Sequence, residues 1–506
     1  MCEPCKFQNH RLQIPLLPFP RSSKAAIVSG NGEQPSELSL TITEAKSILT
    51  VAFPMLATGL LLYSRSIVSM LFLGRLGPLA LAGGSLAIGF ANITGYSVLS
   101  GLAIGMEPIC GQAAGAGKPA LLFLTLRRTV ILLLAASLPI AVTWSSIRPL
   151  LLLLGQSEDI TRAAESYLLC SLPDLLLHSL LHPLRVFLRT QSQTLPLASS
   201  AAVALFLHFP ANYLLVTFLG LGIRGVAFAA VLTNLSLALL LSAYVRLSGL
   251  CNRRGDCEDN EAELTHACSR STLISLALQS CVSVCLEWWW YEIMVLLCGL
   301  LVDPKSTVAA MGILIQTTSF IYIFPSSLGF GISAEVSNQL GAGRPDRARR
   351  AAVVGIWCGA LLGATALCFA VAVRGKWALM FTADADIAGL TAGVMPVLGL
   401  CELGNCPQTA GCGVLRGSAR PGAGVKINLW AFYAVGMPVA AGMAFWSGLG
   451  FYGVWMGLLV AQGTCAALMV DVVRRTDWGM EAERARRLTG GEVGAECAGV
   501  EGKICV

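Results

Sequence analysis

The chain has 506 residues, of which 55% are hydrophobic and 13% are charged, and its mean hydropathy is +0.69. Charged residues make up about a quarter of an ordinary soluble globular protein. The composition therefore excludes that class and indicates a protein that lies in a lipid bilayer.

The first segment, residues 1–45, mixes proline, serine, glycine and charged residues. Its longest apolar piece, Ile14–Phe19, is interrupted by proline and is too short for the apolar core of a secretory signal. We therefore predict a cytoplasmic N-terminal tail at 1–45, with the first membrane span serving as the insertion signal.

Twelve apolar stretches follow the tail. Each can cross a hydrocarbon core of about 30 Å as a helix, which takes roughly 20 residues. Because the stretches are long and continuously apolar, they favour helices over the alternating strands of a barrel. They lie at 48–74, 79–106, 128–147, 163–185, 195–219, 221–246, 272–301, 306–333, 350–372, 388–415, 422–446 and 450–473.

The basic residues orient these spans. With a cytoplasmic N-terminus, 27 of the 35 lysines and arginines fall on the cytoplasmic side, 7 fall on the opposite side, and Arg65 lies inside the first span. Positively charged loops stay in the cytoplasm, so both termini are predicted to be cytoplasmic. This rule accounts for the net charge of +6, which therefore does not call for nucleic acid as a partner.

A duplicated motif divides the chain into two halves. GLAIGMEPICGQAAGAGKP, residues 101–119, recurs 226 positions later as GFGISAEVSNQLGAGRP, which ends at Pro345. Leu188-Arg189 recurs in the same way as Leu415-Arg416. Such repeats indicate two homologous membrane lobes that move around a central site. We predict an N-lobe at 46–247, a cytoplasmic linker at 248–271, a C-lobe at 272–473 and a cytoplasmic C-terminal tail at 474–506.

Candidate functional residues are the acids inside spans, since a charge near the bilayer centre costs about 2.5–3.5 kcal/mol on insertion scales. Glu287 lies in the seventh span within CLEWWWYEIM, beside three tryptophans and Tyr291. In the tenth span, Glu402 and Asn405 lie one helical turn apart. Embedded carboxyl groups can take up and release protons, and aromatic faces can hold organic cations. An interfacial aromatic belt is the alternative for the tryptophans.

The fourth span carries a different polar set. Asp174, His178 and His182 follow each other at intervals of four, so they share one helix face. They could bind a metal or serve a membrane-embedded enzyme, but a hydrogen-bonded polar stripe is our preferred interpretation. The eighteen cysteines form no disulfide framework, and neither the Cys2/Cys5 pair nor the 251–268 group has zinc-ligand spacing. No metal and no cofactor is predicted.

Four motifs together resemble the multidrug and toxic compound extrusion family, in particular its plant branch. They are GMEPICGQAAGAGKP, CLEWWWYE, SNQLGAGRP and GVLRGSARP, and the resemblance covers about 45–475. It implies an all-helical fold of twelve transmembrane helices in two six-helix lobes that form a V-shaped cleft. It also implies coupling in the C-lobe, through Glu287 and an acid of the tenth helix. Many plant members have aspartate where this chain has Asn405, so Glu402 could substitute for it.

We therefore predict a non-enzymatic antiporter that exports small organic solutes from the cytoplasm in exchange for protons rather than sodium. Glu287, Glu402 and Asn405 are the predicted coupling residues. We expect a monomer in the plasma membrane or an endomembrane such as vacuole or late endosome. A lipid-linked precursor flippase and a membrane enzyme using Asp174, His178 and His182 are the alternatives, and a channel is a weaker one. The predicted lining of the substrate path is Trp290, Tyr291, Asn92 and Gln316.

Overall fold

The computed structural model of the chain describes residues 37–153, 156–250, 269–382 and 384–490, and its described part is helical throughout. From Thr41 onward the described residues form one compact unit. Most of the predicted tails and linker, with the Cys2/Cys5 pair and the 251–268 group, lie outside the described residues.

Twelve long helices, α1 to α12, form most of the described part of the chain. Eleven of them are long and apolar enough to cross a membrane. The other, α4, is 33 residues long and falls short because it carries the charged and polar residues around Asp174 and His178. The helices are α1 Glu37–Arg75, α2 Pro78–Gly115, α3 Pro119–Ser145, α4 Glu158–Thr190, α5 Leu195–Phe218, α6 Gly222–Leu247, α7 Arg270–Gly299, α8 Pro304–Gly341, α9 Pro345–Trp377, α10 Ala385–Gly417, α11 Pro421–Trp446 and α12 Gly450–Arg474.

The duplicated motif is more helical than its glycine content suggests. α2 continues to Gly115 and α8 to Gly341, which leaves only three connecting residues before the next helix. Gly117 and Gly343 have φ angles of 70° and 69°, a left-handed conformation that favours glycine. Proline then opens α3 and α9, where its missing N–H costs nothing. The motif thus encodes a sharp turn between two membrane helices.

The two copies of the motif pack directly against each other. A Cβ atom added to Gly115 would lie 2.0 Å from the Asn338 carbonyl oxygen, and one added to Gly341 would lie 2.0 Å from the Gln112 carbonyl oxygen. Since Gln112 and Asn338 are repeat counterparts, the two contacts are reciprocal. Gly111 faces its own counterpart, Ser337, at 1.9 Å by the same measure. We call this contact of 111–115 with 337–341 the glycine seal.

A second glycine stripe joins α9 to α10. Gly355, Gly359 and Gly363 recur every four residues, so they lie on one face of α9. A Cβ atom on Gly363 would lie 2.7 Å from the carbonyl oxygen of Glu402, and one on Gly359 would lie 3.0 Å from that of Cys406. Small residues allow membrane helices to approach closely, and here they fix the position of α10.

A short amphipathic helix, α13, spans Trp478–Leu488 within the segment predicted as the C-terminal tail. Its Trp478 is buried, and Glu481 pairs with Arg420 of the second half at 3.3 Å. Burial raises the pKa of the Glu481 carboxyl, although the Arg420 guanidinium acts against this. From the first half, Lys118 donates hydrogen bonds to the Thr489 and Gly490 carbonyls at 2.7 and 2.9 Å. α13 therefore contacts both halves beside the seal.

The glycine stripe of α9 predicts a specific loss of stability. We expect Gly363→Ala to lower the free energy of unfolding by about 1–3 kcal/mol, because the added methyl group would collide with backbone that cannot rotate away. Thermal unfolding of the purified protein would measure the change. The matched control is Gly375→Ala on the same helix, where no atom lies within 4 Å of the added Cβ; equal losses in both variants would contradict the packing argument.

Candidate functional site

A cavity of about 180 Å³ opens mainly within the second half, between α7, α8 and α10. The first half contributes Ser100 and Ile104 of α2. Along α2 and α8, the residues that line the cavity precede the glycines of the seal, so the seal separates the cavity from the end of the bundle that carries α13. The lining from the second half is Ser280, Ser283, Val284, Glu287, Trp288, Tyr322, Ser326, Phe330, Thr409, Cys412, Leu415, Arg416, Pro421 and Gly424.

Glu287 is the acid of this cavity. The side chain of Gln408 lies near its carboxyl group, and the Arg416 guanidinium is near enough to attract it electrostatically. Tyr322 of α8 interacts electrostatically with the same carboxyl group. Glu287 is only partly exposed, so a proton that it carries lies at the boundary between the cavity and the interior of the second half.

From Glu287, a chain of polar side chains runs along α10. The Thr409 hydroxyl lies 3.5 Å from the side-chain oxygens of both Gln408 and Asn405 and can donate its single proton to either. Asn405 in turn donates to Glu402 at 2.8 Å. Glu402 and Asn405 are each 1% exposed. The side chains of Gln408, Thr409 and Asn405 thus lie in a row between the two glutamates, from the cavity into a dry interior.

The aromatic residues of the seventh span take different positions. Tyr291 lies close enough to interact electrostatically with both Glu287 and Glu402. Trp288 lines the cavity. Trp290 is fully buried and packs against Phe432 and Tyr433, with ring centroids 5.6 and 6.1 Å apart. Consecutive helical residues point in different directions, so only one of the three tryptophans borders this cavity.

Asn92 and Gln316 lie away from the cavity lining. Asn92 begins a π-helical turn, Asn92–Tyr96, in α2, a feature frequent at functional sites. Gln316 accepts a hydrogen bond at 3.3 Å from Tyr63 of α1. The structure therefore brings together Glu287, Tyr291, Glu402 and Asn405 but places Trp290, Asn92 and Gln316 elsewhere.

Four residues of the site were not predicted from the sequence, namely Gln408, Thr409, Arg416 and Tyr322. A signal was available for two of them. Glu402, Asn405, Thr409 and Arg416 recur at helical spacing, so they form one polar face on α10. Tyr322 had no such signal, because its relation to Glu287 depends on the packing of α7 against α8.

The first half contains a buried polar network of its own. Asp174 accepts hydrogen bonds from Asn234 at 2.7 Å and from Tyr96 at 2.9 Å, and it lies 3.4 Å from His178. His178 also contacts His182 at 3.1 Å, and Arg65 pairs with Asn234. In the part of the chain that the structure describes, no group of three or more His, Cys, Asp or Glu side chains has the arrangement of a metal site.

Comparison with known proteins places the chain among membrane transporters. The MatE family matches residues 54–214 and 280–441, and these two segments start 226 residues apart, the same offset as the sequence repeat. Together the segments cover well over half of the chain. The chain belongs to the MatE family.

Similar MatE proteins are found in Arabidopsis thaliana. The chain is 56% identical to Protein DETOXIFICATION 49 over 90% of each chain. It is also 56% identical to Protein DETOXIFICATION 48, over 88% of this chain and 84% of the relative. A solved structure, the crystal structure of the eukaryotic MATE transporter AtDTX14, is 29% identical, covers 89% of this chain and all of its own, and superposes with a TM-score of 0.83.

Membership in the MatE family confirms the predicted fold of twelve transmembrane helices in two lobes and the plant-type resemblance. The protein is a multi-pass membrane transporter that acts in efflux, and not an enzyme. The enzyme alternative for Asp174, His178 and His182 is therefore set aside.

The glycine seal predicts a change in conformation on mutation. In Gly341→Ala, the added methyl group would overlap the backbone of α2, so we expect the two halves to separate at the seal. Cys110 of α2 is fully buried beside it. Alkylation of Cys110 by a membrane-permeant maleimide, followed by peptide mass spectrometry, should accelerate severalfold. The matched control is Gly312→Ala, also on α8, where no atom lies within 4 Å of the added Cβ. Unchanged alkylation in Gly341→Ala would show that the contact does not hold this conformation.

Proposed function

We propose that this MatE protein is a secondary active antiporter that exports small organic solutes from the cytoplasm in exchange for protons by alternating access. The observation that carries the proposal is the polar chain from cavity-lining Glu287 to buried Glu402. It provides two carboxyl groups, one at the solute cavity and one beyond it, with the polar side chains of Gln408, Thr409 and Asn405 between them.

The arrangement supports antiport because a proton and a solute would compete at Glu287. An ionised Glu287 can hold a solute from the cavity side, and protonation removes the charge that holds it. The side chains of Gln408, Thr409 and Asn405 contain groups that donate or accept hydrogen bonds, so they can adjust to either state of the two carboxyls. The names of the relatives from Arabidopsis thaliana refer to detoxification and agree with an export role.

Alternating access requires a closed end and an open end. The glycine seal closes the α13 end, where backbone meets backbone across the two halves. The positive-inside pattern of the sequence supports a cytoplasmic position for this end, so the structure would correspond to the state that releases solute. One proton moving through a potential of 100 mV contributes about 2.3 kcal/mol, which supports roughly fiftyfold accumulation.

Replacement of Glu287 tests the coupling. Glu287→Gln keeps the shape and hydrogen-bonding capacity of the side chain but removes its titratable proton. In proteoliposomes with ethidium as the probe, we expect the variant to lose at least about 90% of the accumulation driven by an imposed pH gradient, since a proton carrier without its proton cannot couple.

The matched control for Glu287→Gln is the double variant His178→Gln/His182→Gln, which alters buried titratable groups of the first half and should retain most of the accumulation. Full pH-driven transport by Glu287→Gln, or loss of transport in the histidine variant alone, would contradict this proposal. Either result would indicate that the proton path lies in the Asp174 network.

The pair Glu402 and Asn405 provides a second test. We expect Glu402→Gln to reduce pH-driven ethidium accumulation severalfold, because the inner carboxyl group is lost. Adding Asn405→Asp to that variant should restore much of the activity, since the new carboxyl would lie one turn away and next to Thr409. Initial rates of uptake would measure both changes. A rescue that fails while the double variant folds normally would show that the two positions do not share a role.

A further inference from the structure

Arg416 is a cation in the cavity that forms no close ion pair. It lines the cavity together with Glu287, and its Nε donates to the Cys412 carbonyl oxygen at 3.2 Å. Among the described residues, no carboxylate oxygen lies within 4 Å of its guanidinium nitrogens. An unpaired charge within a membrane protein is costly and marks a functional position.

The repeat counterpart of Arg416 shows how such a charge is neutralised when it has only a structural role. Arg189 of the first half forms an ion pair with Glu107 at 2.6 Å, and both side chains are buried. The position of the second half that corresponds to Glu107 is Ser333, and its hydroxyl has no partner among the described residues. The second half thus keeps the arginine and lacks the carboxylate.

The guanidinium of Arg416 is also held in place. It lies over the ring of Phe330 at 5.4 Å from the ring centroid, and Arg189 lies over the same ring at 4.0 Å. Together with the hydrogen bond to Cys412, this contact orders the side chain before any ligand arrives. An ordered guanidinium is suited to binding a carboxylate through two parallel hydrogen bonds.

We infer that Arg416 and Glu287 are the two poles of a binding site for a small zwitterionic organic solute. Arg416 would bind its carboxylate and Glu287 would face its cationic group. This inference rests on the proposed antiport and names the class of substrate. The volume of about 180 Å³ lies below the 300–1,000 Å³ of drug-sized ligand pockets, which favours a solute of the size of an amino acid.

Whether proton and solute move in opposite directions or together distinguishes a zwitterion from a simple anion. A proton on Glu287 would make the cavity more positive and strengthen the binding of an anion at Arg416. Proton and anion would then move together, which is cotransport. A zwitterion avoids this, because its cationic group needs the ionised Glu287 and is displaced by the proton. A simple cation would satisfy Glu287 but would leave Arg416 without a role.

The test compares phenylalanine betaine, a permanent zwitterion, with its methyl ester, a permanent cation of nearly the same shape. Equilibrium binding of each to the purified full-length transporter would be measured at neutral pH. We expect the betaine to bind at least about tenfold more tightly, the least that a charge-assisted hydrogen-bonded pair contributes. Arg416→Gln should abolish this preference without weakening the binding of the ester, because it removes a positive charge that repels a cation, and Arg416→Lys should retain part of the preference.

The control for loss of one positive charge is Arg374→Gln, at an exposed position of α9, and it should keep the full preference. Retained ester binding shows that Arg416→Gln is folded. Equal affinities of the wild-type protein for betaine and ester, or no binding of either, would overturn the inference. Because binding is measured without a pH gradient, a betaine preference with no proton-driven transport would refute the proposed antiport and leave the assignment of Arg416 standing.

Discussion

The close approach of α2 to α8 is the constraint on which the rest of the structure depends. Only glycine allows the carbonyl oxygens of Gln112 and Asn338 to reach the opposite helix. Water is absent from the hydrocarbon region, and apolar side chains gain little from leaving lipid for protein. Packing of small residues therefore has to supply the association. With the two halves joined in this way at one end, the cavity lies about two to four helical turns before the seal along the same helices.

The two halves share one backbone fold but differ in their polar side chains. In the first half, Arg189 is neutralised by Glu107, and Asp174 is surrounded by donors. In the second half, two glutamates and Arg416 border or adjoin a cavity. The duplicated glycines preserve the interface, while the positions between them are free to diverge. The same motif can therefore support two lobes with different polar interiors.

Much of the fold was predictable because its signals are local. The lengths of the apolar stretches predicted twelve helices, and the duplicated motif predicted two halves. The basic residues of the loops predicted the orientation. The pairing of Glu402 with Asn405 followed from helical spacing alone. Trp290 and Tyr322 were different, because their surroundings depend on which face α7 turns towards α8 and α11. A single sequence holds no information on that rotation. α13 was missed as well, since its sequence is mostly charged and its packing beside Arg420 and Lys118 depends on the fold.

The position of α13 has a consequence for following the transport cycle. Its core residue Trp478 and its ion pair anchor it to the second half, whereas Lys118 reaches it from the first. If the halves separate at the glycine seal, the Lys118 ammonium has to release the Thr489 and Gly490 carbonyls, which directly follow α13. Those carbonyls then meet water, and the environment of the helix end changes. A solvent-sensitive fluorophore at Arg487, an exposed residue in the last turn of α13, would therefore act as a reporter of the opening step in real time, at a distance from the solute cavity.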